Sequence, residues 1–220
     1  ITSVIGDIRD FSALKAAFDA CDPDVVFHLA AQALVRKSYE DAPLTFEANM
    51  LGTLNMLEAV RQCPSVEAAV FITSDKCYRN DEWVWGYRET DHLGGDDPYS
   101  ASKGCAEIIA HSYFKSFFKD GPACATVRAG NVIGGGDFAP DRIIPDCIRA
   151  VMKKEPIVVR NPHSTRPYQH VLEPVFAYLM IAEKQYEEPK KYAGSYNVGP
   201  DDCDCLTTGE LADVFCSAWG

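Results

Sequence analysis

The sequence has no apolar run near the roughly 18 residues that a membrane-crossing helix needs, and no basic-then-apolar leader opens it. A cytosolic location is the expectation from those two absences, and a membrane is not an expected partner. Positive charge is scarce: 21 Lys and Arg stand against 32 Asp and Glu, a formal net charge of -11. No stretch gathers the basic residues into a stripe that could follow a phosphate backbone, so nucleic acid is not an expected partner either. Metal-ligand spacing is missing. Cys203 and Cys205 form a lone C-x-C with no second pair nearby, and His163 and His170 are not at ligand spacing. His28 sits in an apolar run and is expected to be a hydrogen-bonded core residue.

What remains is the balance of a chain with a packed core: 220 residues, 47% hydrophobic, 11% aromatic and 24% charged. The nine cysteines are scattered through helical and strand patterns rather than framing a short loop-rich scaffold, and are expected to be reduced thiols.

Short apolar runs alternate with helical periodicity. Asp24–Ala31, Ala68–Thr73 and Cys124–Arg128 are patterned as strands buried on both faces. Between the first two, Pro43 to Cys63 carries Leu44, Ala48, Leu51, Leu54, Leu57 and Val60 at steps of three and four, a long crossover helix. Pro98 to Lys119 is a second. This alternation predicts an α/β fold, a doubly wound parallel sheet. Val4 to Ile8 reads as a further strand already under way. Because the chain opens on Ile1, and because Trp219–Gly220 falls inside a helical pattern that starts near Thr207, a fragment is expected.

After residue 130 the pattern changes to a glycine-rich loop at Gly134–Gly136, a helix from Pro140 to Lys153, a short strand at Ile157–Val159, a helix from Glu173 and a strand at Ser195–Val198. The expected division is 1–130, a partial dinucleotide-binding domain, and 131–220, a partial and smaller substrate-binding lobe interleaved with the late strands.

Tyr99 and Lys103 stand at i and i+4, side by side near the start of the second long helix. An ammonium a few ångströms from a phenol favours phenolate, and so turns a poor base at neutral pH into one that can take a proton from an alcohol. The same spacing also occurs as a plain surface pair. Thr73-Ser74-Asp75-Lys76 puts a hydroxyl, a carboxylate and an amine where a buried strand ends, the usual place for ligands in open α/β sheets.

Together with Gly6-Asp7-Ile8-Arg9-Asp10, His28-Leu29-Ala30-Ala31-Gln32 and Asn49-Met50-Leu51-Gly52-Thr53, these residues make the chain resemble the extended short-chain dehydrogenase/reductase family, the nucleotide-sugar epimerases and dehydratases. The resemblance runs over essentially all 220 residues. It is nearest to the CDP-glucose 4,6-dehydratase branch, through Thr73–Tyr78, Trp83-Val84-Trp85-Gly86-Tyr87, Arg128–Asp137 and Arg166–Val171. In the dTDP-glucose branch the residue after the aspartate is glutamate, so Lys76 is a departure from that pattern.

The resemblance implies a Rossmann-like domain holding NAD and a nucleotide-diphosphate sugar substrate, CDP-glucose. It implies that Tyr99, with Ser74 bridging, removes the C4 hydroxyl proton, and that Asp75 and Lys76 serve as acid and base in the loss of water, in that order or exchanged. Asp7 and Ile8 resemble the adenine contacts. Leu29, Ala30, Ala31 and Gln32 resemble the lining near the ribose and nicotinamide, and equally suit plain sheet packing. Lys103 has a second implied role on the nicotinamide ribose, and Asn49 is implied as a cofactor contact, although an asparagine there more often orders local structure. Asn131, Arg142 and Arg166 resemble residues that grip the diphosphate, whereas Arg160 suits a solvated surface charge. A homodimer through the two long helices is implied as well. The family's glycine-rich pyrophosphate loop does not occur in these residues, since Gly134–Gly136 comes too late, and it is expected upstream of Ile1. A 4-epimerase of the same family and a non-catalytic nucleotide-binding module remain competing readings.

Overall fold

The computed structural model describes residues 1–220, which divide into two compact units: 1–129 with 177–197, and 130–176 with 198–220. In the first unit, Asp10 caps helix α1 (Phe11–Cys21) by accepting from the Ala13 amide, and the helix stops where Asp22 turns left-handed ahead of Pro23. Phe11, Leu14 and Phe18 share its buried face. Strand β1 (Val25–His28) follows, then two short helices, α2 (Val35–Glu40) and α3 (Ala42–Phe46).

The crossover helix expected over Pro43–Cys63 is present but not uniform. It runs from α3 through a widened π turn at Glu47–Leu51 into α4 (Gly52–Arg61). The widened turn coincides with Asn49, whose buried amide is committed to another segment, and with Gly52, where a Cβ would stand 2.7 Å from Ile8 Cγ2. Strand β2 (Ala68–Ile72), helix α5 (Pro98–Ser116) and strand β3 (Ala123–Ala129) complete the expected alternation. Asp97 caps α5 by accepting from the Ser100 amide and hydroxyl, with Pro98 in the first turn.

The sheet order is β1-β2-β3-β7, where β7 is Gly194–Val198. β1 pairs parallel with β2 from Val25↔Ala68 to His28↔Phe71, and β2 parallel with β3 from Ala68↔Ala123 to Ile72↔Val127. Val26, Ala69, Phe71 and Cys124 on one face meet Phe18, Met56, Leu57, Val60 and Ala110 from α1, α4 and α5 in the core. No helix of the structure is long and apolar enough to cross a membrane.

The second unit contains β4 (Asn131–Ile133), α6 (Ile143–Lys153), β5 (Thr165–Arg166), β6 (Tyr168–His170), β8 (Leu206–Thr207) and α9 (Thr208–Trp219). β4 pairs parallel with β6, and β5 antiparallel with β8. Thr207 and Glu210 form a reciprocal capping box at the start of α9. Helix α7 (Leu172–Glu187) contains the unit boundary, and the short helix α8 (Pro189–Tyr192) belongs to the first unit.

Two expected strands are absent. Residues 1–7 carry no regular structure, and Ile5 is fully exposed with no ladder partner to satisfy it. Ile157–Val159 is irregular, with Val158 78% exposed. Strand composition does not by itself secure pairing: residues 1–7 do not pair with the edge strand β1, and the strand pairs of the second unit form between other segments.

Candidate functional site

Three strands end in register at the same side of the first unit, and the candidate residues gather where they end. Ser74 follows β2 and caps a single tight helical turn, Asp75–Cys77. Its hydroxyl accepts from the Lys76 amide at 3.1 Å and donates to Asp75 Oδ1 at 3.0 Å. Thr73, one residue earlier, holds its amide on the Val127 carbonyl of β3 at 2.9 Å. Ser74 is therefore fixed by the sheet, while Asp75 and Lys76 are half-buried.

Tyr99 and Lys103 lie on the first turns of α5 and are both buried. The Tyr99 amide donates to Ser38 Oγ at 3.2 Å, which pins the start of the helix to α2. Lys103 is 6% exposed, and its ammonium donates to the Ile72 carbonyl at 3.4 Å, directly at the end of β2. Burial pushes the Lys103 pKa down to about 8, opposed by the carboxylate of Glu107 one turn further along α5. An ammonium of this kind is costly to hold and readily exchanges a proton near neutrality.

The segment after β1 is tied to the same helix. The Gln32 amide donates to Asn49 Oδ1 at 2.8 Å, and Asn49 Nδ2 donates to the Gln32 carbonyl at 3.0 Å and to Ser102 Oγ at 2.9 Å. Ser102 in turn donates to the Tyr99 carbonyl at 2.7 Å. Asn49 thus links the β1 strand end to α5. Leu29, Ala30 and Ala31 are exposed at that strand end, so they are not sheet packing.

Asp7 is exposed and bound by Arg9, whose side chain and amide both donate to it and hold its pKa down to about 2. Arg9 also reaches Glu47 at 2.7 Å. Ile8 packs on the core, and its carbonyl accepts from Asn55 Nδ2 at 3.0 Å. His28 is buried. Because Thr53 Oγ1 gives its hydrogen to the Asn49 carbonyl, His28 Nε2 is the donor to Thr53 at 3.2 Å, and Nδ1 is left without a partner. Burial lowers the His28 pKa to about 4, with the Lys103 charge adding to it.

Asn131, Arg142 and Arg166 belong to the second unit. Asn131 opens β4, Arg166 lies in β5, and Arg142, at the start of α6, is 3.5 Å from Asp137. Arg160 pairs with Asp141 at 2.7 Å near the surface. No group of three or more His, Cys, Asp and Glu side chains is arranged to hold a metal ion.

Behind the strand end stand two buried charges for which sequence reasoning supplies no role. Arg128 and Glu107, 4% and 2% exposed, form an ion pair at 2.6 Å. Glu107 also accepts from the hydroxyls of Thr73 and Thr126, and Arg128 donates to Tyr78 Oη at 2.7 Å and the Glu89 carbonyl at 2.9 Å. Burial is the largest single influence on Arg128 and opposes its charge, but the hydrogen bond and charge of Glu107 together with the Tyr78 hydrogen bond outweigh it, and its pKa stands above the ordinary value. The signal was available: Arg128 is a lone charge in an otherwise uncharged buried strand, and Glu107 continues the helical row of Tyr99 and Lys103.

Comparison with known proteins agrees with the motifs. The model of the GDP-mannose 4,6 dehydratase family matches residues 1–199. CDP-glucose 4,6-dehydratase of Salmonella typhimurium is 49% identical over 99% of this chain, which spans 62% of the length of that relative. dTDP-D-glucose 4,6-dehydratase of Dictyostelium discoideum is 29% identical over 89% of the chain and 45% of its own length. Among solved structures, UDP-glucose 4-epimerase of Thermus thermophilus in complex with NAD superposes with a TM-score of 0.81 at 29% identity, over 97% of this chain and 67% of that one. The parallel sheet, the ordered motifs at its strand ends and the match over most of the sequence lead to one conclusion: the chain belongs to the GDP-mannose 4,6 dehydratase family.

Proposed function

We propose that this chain carries the acid–base machinery of an NAD-dependent nucleotide-sugar 4,6-dehydratase, a hydro-lyase that converts CDP-glucose to CDP-4-keto-6-deoxyglucose and water. The observation that carries the reading is the buried Lys103 ammonium, one helical turn from Tyr99 and hydrogen-bonded to the last carbonyl of the strand that leads into Ser74-Asp75-Lys76. The 49% identity to a CDP-glucose 4,6-dehydratase supports the choice of CDP-glucose.

The residues present fit the nicotinamide-ribose end of NAD. Lys103 gives one hydrogen bond, to Ile72, and has further donors for ribose hydroxyls. Leu29, Ala30 and Ala31 leave the backbone after β1 open to approach, and Gln32 is held in place by Asn49. Asp7 and Ile8 are the proposed adenine contacts. Bound NAD supplies reversible hydride acceptance, which makes an overall redox-neutral loss of water feasible.

In this reading Tyr99 takes the proton of the sugar C4 hydroxyl, with Ser74 as the bridging hydroxyl. With the C4 hydrogen given up as hydride, the resulting C4 ketone acidifies the C5 proton. Lys76 removes that proton while Asp75 delivers one to the departing C6 hydroxyl, which leaves as water. Return of the hydride to C6 and of a proton to C5 then completes the 4-keto-6-deoxy product. Both groups sit on one turn whose backbone is fixed by Ser74. Asn131, Arg142 and Arg166 are the proposed diphosphate contacts. Leu51 on the widened turn and Ile108 and Phe117 on and after α5 are exposed apolar residues, which supports a homodimer through these helices.

The test is incubation of the full-length protein with NAD and, separately, CDP-glucose, UDP-glucose, dTDP-glucose or GDP-mannose, followed by product mass. Loss of one water from CDP-glucose is expected. Loss of water from another nucleotide sugar alone would overturn the base assignment. An unchanged mass with inverted stereochemistry would replace the dehydratase with an epimerase, and no turnover would leave a binding module.

A further inference from the structure

Residues 73 and 78 flank the turn that bears Ser74, Asp75 and Lys76, and both are bound by the same buried ion pair. Thr73 Oγ1 donates to Glu107 Oε1, while Glu107 Oε2 takes Arg128 Nη2 at 2.6 Å. Arg128 Nη1 reaches Tyr78 Oη at 2.7 Å, and Tyr78 Oη donates to Asn197 Oδ1 at 2.6 Å. The guanidinium also lies over the Tyr78 ring, 5.1 Å from its centroid. One buried salt bridge therefore closes a loop of contacts around the backbone between Thr73 and Tyr78. Burying both charges is expensive, and replacing such a pair by apolar residues is often neutral or stabilising. A stability role alone does not account for it.

Resting on the function proposed above, we propose that Glu107 and Arg128 are positioning residues. They clasp the two ends of the Ser74–Cys77 turn and so fix Asp75 and Lys76 relative to Tyr99 and Lys103. Glu107 is suited to this because it stands on the same helix as Tyr99 and Lys103, two turns and one turn away. It thus refers the turn directly to the helix that carries the proposed base. Arg128 adds a third tether at the Glu89 carbonyl, holding the segment that leaves the turn, where Asn197 accompanies it by bonding the Glu89 carboxylate and the Tyr87 carbonyl.

Glu107→Gln leaves the Arg128 charge buried without its counter-ion and risks misfolding. Thr73→Val and Tyr78→Phe each remove one hydroxyl at one end of the turn and keep the ion pair. In the full-length protein, the turn's own Cys77 thiol, fully buried, reports its order through its rate of alkylation by iodoacetamide, mapped by mass spectrometry. Cys124, buried in β3, is the control. Each hydroxyl variant is expected to speed Cys77 labelling at least tenfold with Cys124 unchanged. Turnover is expected to show kcat reduced about 5- to 30-fold, with KM for the nucleotide sugar within twofold. Labelling of Cys77 at the wild-type rate would overturn the clasp whatever the substrate proves to be, as would a lowered melting temperature with kcat per folded molecule unchanged. Absence of turnover in the wild-type protein, by contrast, would remove the proposed reaction and leave the labelling result to decide the clasp.

Discussion

Replacing Lys103 with methionine should stabilise the protein, and on the proposed function it should abolish turnover. The side chain is 6% exposed, and burial lowers its pKa from an ordinary 10.5 to about 8. At about 1.4 kcal/mol per unit, holding the charged form at pH 7 costs about 3 kcal/mol. The hydrogen bond to the Ile72 carbonyl offsets about 1 kcal/mol of what is gained by removing it, so Lys103→Met should be more stable by about 1–3 kcal/mol at pH 7. The sign with pH follows from proton linkage. Between about pH 8 and 10.5 the unfolded chain binds the Lys103 proton and the folded one has released it, so wild-type stability rises with pH across that window. The advantage of the variant should therefore be full at pH 7 and nearly gone by pH 10.5. Urea midpoints of both proteins at pH 7, 9 and 10.5 measure it, because other titrations are common to both and cancel in the difference. A variant no more stable at pH 7, or an advantage flat across the window, would refute the reasoning.

Tyr99→Phe removes only a hydroxyl, so substrate binding and melting temperature should hold while the rate of C4 oxidation falls roughly 10²- to 10⁴-fold, read by single-turnover kinetics. Lys76→Ala should leave C4 oxidation intact and block loss of water, read by product mass; retained water loss would remove Lys76 as the base. His28, held neutral by burial with a pKa of about 4, should make stability fall as pH drops from about 6.5 to 4, by up to roughly 3 kcal/mol. His28→Gln should flatten that slope in acid denaturation followed by circular dichroism.

The alternation of helix and strand was legible because each element carried its own period. Ala68–Ile72 and Ala123–Ala129 are runs buried on both faces, as expected, and Leu54, Leu57 and Val60 repeat at helical steps. Val25–His28 is a strand as expected, but it stands at the sheet edge with only Val26 and His28 buried. Helix α1 is an unexpected element, although Asp10 as cap and Phe11, Leu14 and Phe18 as its stripe are all plain in the sequence. Val4–Ile8 and Ile157–Val159 mislead for the opposite reason: they have strand composition, and pairing depends on an edge the local sequence does not contain. The widened turn at Glu47–Leu51 has no composition signature; it coincides with tertiary contacts of Asn49 and Gly52 that the local sequence does not display. At the site, Tyr99, Lys103 and Ser74 were legible as spacing and strand-end position, whereas the bonds that make Glu107 and Arg128 matter join residues 21 to 50 positions apart.

The distribution of charge shows where the fold departs from what stability alone would select. Of 21 Lys and Arg and 32 Asp and Glu, only Lys103, Glu107 and Arg128 have fully buried positions. All three lie on α5 and β3 around the end of β2. A core built for stability would replace them with apolar residues, as it does at Leu57, Val60, Val70 and Phe71. Their sum is one positive charge buried in a protein whose net charge is -11. Because the hydrogen bonds of Glu107 go to Thr73, Thr126 and Arg128, Lys103 has that carboxylate only as a neighbouring charge, which offsets part of the cost of burial. In a region of low dielectric constant, a buried positive charge favours negative charge on an oxygen brought beside it, which is the environment that the proposed removal of an alcohol proton requires. Burial, partly opposed by Glu107, is what brings the Lys103 pKa down to about 8, so the ammonium is held at a cost that a negative charge developing beside it would relieve.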